Sequence, residues 1–191
     1  MQKKRLAIFA SGNGTNAMNL IHFFKSSKEA EIGFVLSNRA EAGVLEKAKS
    51  EGVEVVVVSN EHVQEGDPLV VICKERAIDL IVLAGFLRKI PDQLIRNYPN
   101  KIVNIHPALL PNYGGKGMYG MHVHQAVLDN KEKETGITIH YVNEHYDEGE
   151  FIFQKAVNVE DCKSPEEIAQ KVHDLEHRYF PEIIEKLIPT I

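Results

Sequence analysis

Leu6-Ala7-Ile8-Phe9-Ala10-Ser11-Gly12-Asn13-Gly14-Thr15-Asn16 decides the fold. Its first five residues are an unbroken apolar run, the pattern of a strand buried on both faces. Ser11-Gly12-Asn13-Gly14 turns the chain tightly, and Ala17 to Ser27 then carries Met18, Leu20, Ile21 and Phe24 at helical spacing. Strand, glycine-rich turn and helix in that order form the first unit of an α/β sheet. Such a unit presents backbone N–H groups and a helix N-terminus to an anion. Thr15 and Asn16 are good caps and can also donate to phosphate oxygens. The turn is therefore either a phosphate cradle or an ordinary capped turn. The cradle is favoured because ligands of α/β chains gather at such turns.

Two nucleotide motifs are excluded. The third glycine of G-x-G-x-x-G is missing, because Thr15-Asn16-Ala17 occupies that region, and no Gly-Lys-Ser/Thr follows the turn. The second strand, Ile32 to Leu36, ends in Ser37-Asn38-Arg39, with no acid there for a ribose. Outward from this unit, Val44 to Ser50 reads as a helix closed by Gly52, and Val53 to Val58 as a third strand. Ser59 to Asp67 reads as a polar connection, and Pro68 to Arg76 as a helix with proline in its first turn. Asp79 to Ala84 is a fourth strand, almost wholly apolar as a central parallel strand should be, Pro91 to Asn97 a short helix and Ile102 to His106 a fifth strand. Alternating strands and helices predict a doubly wound, mostly parallel sheet of the Rossmann-like kind.

The pattern changes after His106. Residues 107–121 form a long loop with four glycines, and loops of that length in compact domains are usually functional or disordered. His122 to Asn130 reads as a helix, and Gly136 to Val142 as a strand. Phe151 to Val159 is a further strand, placed to pair antiparallel with the one before it. Ser164-Pro165-Glu166-Glu167 opens a long terminal helix, with Ser164 as N-cap, Pro165 at N1 and Glu167 completing a capping box. The 191 residues suit a single domain, and no linker or repeat divides them.

Composition narrows the function classes. The net charge of −5 speaks against a broad nucleic-acid surface, and no apolar run reaches membrane-spanning length. Cys73 and Cys162 lack any pairing or metal spacing, which suits free thiols in a reducing compartment. The short apolar stretch after Met1-Gln2-Lys3-Lys4-Arg5 runs straight into the turn, so the expected location is the cytoplasm.

Chemistry concentrates at Lys101-Ile102-Val103-Asn104-Ile105-His106-Pro107-Ala108-Leu109-Leu110-Pro111. Asn104 and His106 are two apart, so on a strand they share one face, and Pro107 ends the ladder just after them. An amide donor beside an imidazole suits acyl transfer, one tool for an oxyanion and one for a proton. The alternative is a strand end with two satisfied polar groups. His22, His62 and His145 are expected on the surface without partners, and His122 and His124 lack the third ligand a metal would need. His140 precedes the loop that holds Asp147. If its strand neighbours the fifth, Asp147 could face His106, keep the imidazolium charged and orient it.

Four segments carry a resemblance. They are Ser11 to Asn16, Val82-Leu83-Ala84-Gly85-Phe86-Leu87-Arg88, Asn104 to Pro111, and His140-Tyr141-Val142-Asn143-Glu144-His145-Tyr146-Asp147-Glu148-Gly149. In this order, from about residue 4 to residue 188, the chain resembles the phosphoribosylglycinamide formyltransferase (glycinamide ribonucleotide transformylase) family of folate-dependent formyltransferases. The resemblance implies formyl transfer from 10-formyltetrahydrofolate to the amine of glycinamide ribonucleotide in purine biosynthesis. It implies small-molecule partners, no metal, and a monomer or weak homodimer. Residues 1–106 would form a nucleotide-binding half and residues 107–191 a folate and catalytic half of one formyltransferase domain.

Site roles follow by the same resemblance. Asn104, His106 and Asp147 match the catalytic residues, with His140 in support. Gly14, Thr15 and Asn16, with His173, Asp174, Leu175 and Glu176, match the ribonucleotide site. Leu87, Arg88, Lys89, Ile90, Asn104, Asn143, Glu144, His145, Tyr146 and Asp147 match the folate site. Two features depart from the family pattern. Residues 59–67 contain no arginine to help hold folate, so His62 or another group substitutes or the contact is absent. The loop 113–121 is longer than usual and carries Lys116, a candidate for phosphate or the folate tail. Formyltetrahydrofolate deformylase and methionyl-tRNA formyltransferase share the Asn/His/Asp pattern. They are expected to bring an extra N-terminal regulatory or C-terminal RNA-binding domain. A non-catalytic nucleotide-binding protein is the remaining alternative.

Overall fold

The computed structural model describes residues 3–191. Its strands are β1 (Lys4–Phe9), β2 (Ala30–Ser37), β3 (Glu54–Val57), β4 (Leu80–Leu83), β5 (Ile102–His106), β6 (Glu134–Tyr141) and β7 (Phe151–Asn158). Its helices are α1 (Thr15–Phe24), α2 (Gly43–Ser50), α3 (Asn60–Glu65), α4 (Asp67–Glu75), α5 (Asp92–Asn97), α6 (Met121–Asp129) and α7 (Pro165–Leu187). The seven strands make one sheet in the order β3-β2-β1-β4-β5-β6-β7. β1 to β5 run parallel, whereas β6 lies antiparallel to both β5 and β7. The doubly wound sheet and the antiparallel strand pair are both present.

β1 shows why the apolar run matters. Leu6 and Ile8 enter the core under α1, α2 and α7, while Ala7 and Phe9 enter the core under α3, α4 and α5. Alternate side chains of a strand leave on opposite faces, so only a continuous apolar run fills both cores. All four are fully buried, and each larger one contributes on the order of 2 kcal/mol. The chain runs outward from β1 to β3 and then crosses back to β4 beside β1. That reversal is a topological switch point, where the ends of neighbouring strands open a crevice. Ser11 N–H donates to Gly85 O at 3.0 Å, and Leu87 N–H to Ser11 Oγ at 3.0 Å, tying the two loops above it together.

Three local expectations are corrected. The connection 59–67 contains α3, capped by Ser59, whose hydroxyl accepts from His62 N–H. Only Val63 of that helix is buried, so no apolar period announces it. At α7, Ser164 accepts from Glu167 N–H as expected, but the Glu167 carboxylate returns to Lys163 N–H at 2.6 Å instead of to the cap residue. His22 is not partnerless, since its Nε2 lies 3.2 Å from Glu51 Oε1. The long loop ends at residue 120, where Gly120 precedes α6. Both cysteines are free, and burial pushes the Cys73 thiol up to about 12. Among the described residues no helix is long and apolar enough to cross a membrane.

Candidate active site

β5 and β6 pair so that Asn104 faces His140 and His106 faces Thr138. This register answers the condition on which Asp147 could reach His106. His140 Nδ1–H donates to Tyr141 O at 2.8 Å, which leaves Nε2 to accept from Asn104 Nδ2 at 3.1 Å. One N–H of the Asn104 amide is so employed, and the amide plane is held. Thr138 was not anticipated in the site, yet it organises the next segment. Its buried hydroxyl donates to Ala108 O at 2.7 Å and accepts from Leu110 N–H at 3.0 Å, fixing the start of the 107–120 loop. Its spacing of two from His140 is the sequence signal that places it on the same face.

Asp147 comes from the 142–150 loop, with φ of 57°. Tyr141 N–H donates to Glu150 O at 2.9 Å to close that loop, and a side chain on Gly149 would collide with the Tyr141 carbonyl. Asp147 Oδ2 lies 3.6 Å from His106 Nδ1, and Oδ1 lies 3.6 Å from His140 Nε2. Both distances are too long for direct hydrogen bonds. The close partners come from the loop instead. Gly115 N–H donates to Asp147 Oδ2 at 2.9 Å, and His106 Nε2–H donates to Tyr113 O at 2.7 Å.

The charge state of His106 is the main correction. Burial lowers its pKa, and neither Asp147 nor the Tyr113 carbonyl offsets that fully. The imidazole is neutral at pH 7, with its proton on Nε2, rather than a standing imidazolium. Burial disfavours the Asp147 carboxylate too, but His140, His106 and the Gly115 N–H outweigh it and hold the pKa below the usual range.

These groups floor a cleft of about 660 Å³ at the switch point. Gly14, Thr15, Asn16, Leu87, Arg88, Lys89 and Ile90 line it, as do Asn104, His106 and His140. So do Asn143, His145, Tyr146, Asp147, Lys116 and Glu176. Glu144, His173, Asp174 and Leu175 do not line it, and neither does His62, so His62 makes no substitute for a folate-site arginine. Burial raises the pKa of Glu176 against the opposing effects of Asn16 and His173. His145, expected on the surface and matched to the folate site, is exposed and lines the cleft. Among the described residues no group of three His, Cys, Asp or Glu side chains is spaced to hold a metal.

An amide, two imidazoles and a carboxylate at the switch point of a doubly wound sheet define an α/β site that can hold an oxyanion and relay a proton. The chain belongs to the formyl transferase family, whose profile matches residues 4–184. It is 39% identical over 190 residues to the chloroplastic phosphoribosylglycinamide formyltransferase of Arabidopsis thaliana, covering 96% of this chain and 65% of that protein. The chain thus spans just under two thirds of that plant relative's length. It is 34% identical to phosphoribosylglycinamide formyltransferase of Bacillus subtilis, covering 97% of this chain and 95% of that one. The crystal structure of phosphoribosylglycinamide formyltransferase from Bacillus halodurans superposes with a TM-score of 0.88 at 35% identity, covering 97% of this chain and 95% of that one.

Proposed function

We propose that this protein transfers the formyl group of 10-formyltetrahydrofolate to the amine of glycinamide ribonucleotide, releasing tetrahydrofolate. The observation that carries the reading is the meeting of Asn104, His106 and Asp147 in one cleft with an open helix N-terminus at Gly14 to Asn16. α1 has no acidic residue in its first turn and no side-chain cap, so its N–H groups are free for a phosphate. Glu176, hydrogen-bonded through Asn16 Nδ2 at 2.9 Å, stands beside that turn to meet a ribose or amine. The 173–176 segment contributes to the cleft through Glu176 alone. Leu87 to Ile90, with Asn143, His145 and Tyr146, line the part of the cleft that would take the pterin. Arg88, Lys89 and Lys116 are the cleft cations that could meet the tail of a folate. The expected halves, 1–106 and 107–191, both contribute to this one cleft.

The chemistry then balances without a protein-bound intermediate. The amine nitrogen bonds to the formyl carbon as the carbonyl electron pair moves onto oxygen. The second N–H of Asn104 donates to that oxygen, and His106 Nε2–H adds a donor once it leaves the Tyr113 carbonyl. Asp147 takes the proton lost by the attacking nitrogen and delivers it to folate N10 as the carbon–N10 bond breaks. Small-molecule substrates, a cytoplasmic setting and a monomer or weak homodimer belong to the same proposal.

The test is the absorbance change of tetrahydrofolate release, with and without glycinamide ribonucleotide. Turnover that requires the ribonucleotide is expected. Turnover with water alone would assign a hydrolase, and folded protein without turnover would assign a binding protein.

A further inference from the structure

Among the described residues, four buried side-chain polar atoms lack a hydrogen-bond partner: Asn16 Oδ1, His124 Nδ1, Thr135 Oγ1 and His173 Nδ1. Three of them belong to α1, α6 and α7, and α7 packs against both other helices. Asn16 and His124 line the cleft together with Glu176 and His106. His173 Nδ1 lies 3.8 Å from Glu176 Oε2, beyond hydrogen-bonding reach. A folded protein rarely leaves polar groups orphaned at this depth, and two of them on residues that line one cleft, Asn16 and His124, ask for a ligand.

His124 is the most telling of them. It is only 5% exposed, in the first turn of α6, and Gly120 caps that helix without a side-chain bond. Burial drives its pKa down to about 4, and nearby His106 and His173 add to the effect. At neutral pH it therefore offers one donor and one acceptor and no charge. That pair suits neither a phosphate nor an ammonium, each of which calls for opposite charge. A neutral imidazole nitrogen can instead pair with one polar group of a secondary amide, its N–H or its C=O. Glycinamide ribonucleotide has one such amide, between its ribose and its amine. With the phosphate at Gly14 to Asn16 and the ribose at Glu176, that arm must reach toward His106 along the wall that holds His124.

We propose that His124 binds the amide arm of the acceptor substrate and so aims its amine at Asn104 and His106. The inference rests on the acceptor reading given above.

The experiment is steady-state kinetics with each substrate varied in turn, on the wild type and on His124→Leu, His124→Asn and His124→Gln, with a ligand-free melt of each. Ribose 5-phosphate, which lacks the amide, is titrated as a competitor. Leucine should raise the KM for glycinamide ribonucleotide by about tenfold or more, the loss of about one good hydrogen bond. The KM for 10-formyltetrahydrofolate and the inhibition constant of ribose 5-phosphate should stay within about twofold. The ligand-free Tm should not fall, because leucine removes an orphaned nitrogen and keeps the volume. Asparagine mimics the Nδ1 position and glutamine the Nε2 position, so one of them should recover most of the affinity. An unchanged ribonucleotide KM in His124→Leu overturns the assignment. So does a rise shared by ribose 5-phosphate or folate, or a lowered Tm with no rescue, since each marks a packing role. In those cases wild-type turnover still requires the ribonucleotide. A wild type that does not require it overturns the acceptor reading as well.

Discussion

Gly14 and Gly117 sit in two glycine-bearing loops that line the same cleft, both at positive φ, 73° and 92°. They are held differently. A side chain at Gly14 would run into Val44, whereas nothing stands within 4 Å of one at Gly117. The first loop is fastened to the frame. Val44 N–H donates to Gly12 O at 3.1 Å, and Lys47 Nζ to Asn13 O at 2.9 Å. The second loop is fastened to the reactive groups themselves, through Tyr113 O on His106 and Gly115 N–H on Asp147. One loop opens on a helix N-terminus that no side chain caps. The other occupies His106 and Asp147, so under the proposed chemistry its contacts would be exchanged for substrate before transfer.

The largest expected effect sits where the second loop meets the sheet. His106→Ala should lower kcat by roughly 10³-fold, as for loss of an oxyanion donor or proton-transfer group. Its ribonucleotide KM should move little, because the phosphate turn does not depend on His106. Measuring both constants breaks the comparison if KM collapses instead, since the two loops would then be one unit.

The sheet and the frame-held loop are legible in the sequence because both are written in side-chain pattern. The apolar runs of β1 and β4 must be buried on two faces, and Ser-Gly-Asn-Gly after a strand can only turn. Asn104 and His106 are legible by their spacing of two. The second loop is not, because its decisive atoms are the Tyr113 carbonyl and the Gly115 amide, and no residue type announces a backbone partner. The charge of His106 is misread for a related reason. A strand end next to an acid suggests an imidazolium, but depth below the loop decides the matter, and depth is a property of the closed fold. Helix α3 escapes notice because only Val63 faces the core.

The comparison is sharpened next at the two glycines. Gly14→Ala forces a left-handed alanine, about 1–2 kcal/mol, and overpacks against Val44, about 1–3 kcal/mol. Gly117→Ala incurs the first cost alone. Urea unfolding should therefore show Gly14→Ala the less stable by about 2 kcal/mol. Equal losses would mean that the second loop is packed as tightly as the first.

A last effect is expected on acidification, at the helix that follows the second loop. His124 titrates at about 4 in the folded protein and near 6.5 when unfolded. Between those values the unfolded chain binds a proton that the folded chain refuses. Stability therefore rises with pH across that window and falls as pH drops from 6.5 toward 4, with little further loss from this group below it. His106, whose pKa is also lowered, pulls the same way over the upper part of the window. Asp147 acts lower down, since its depressed pKa lends stability that persists above the unfolded value and disappears as pH falls through the folded one. Urea midpoints measured from pH 7 to pH 4 on the wild type and on His124→Leu separate these groups. The leucine variant should flatten the decline between 6.5 and 4 and leave the deeper acid loss in place. Parallel curves for the two proteins would show that His124 is hydrated and open to protons in the free enzyme. The α6 wall would then belong with the loop around Gly117 rather than with the frame-held turn at Gly14.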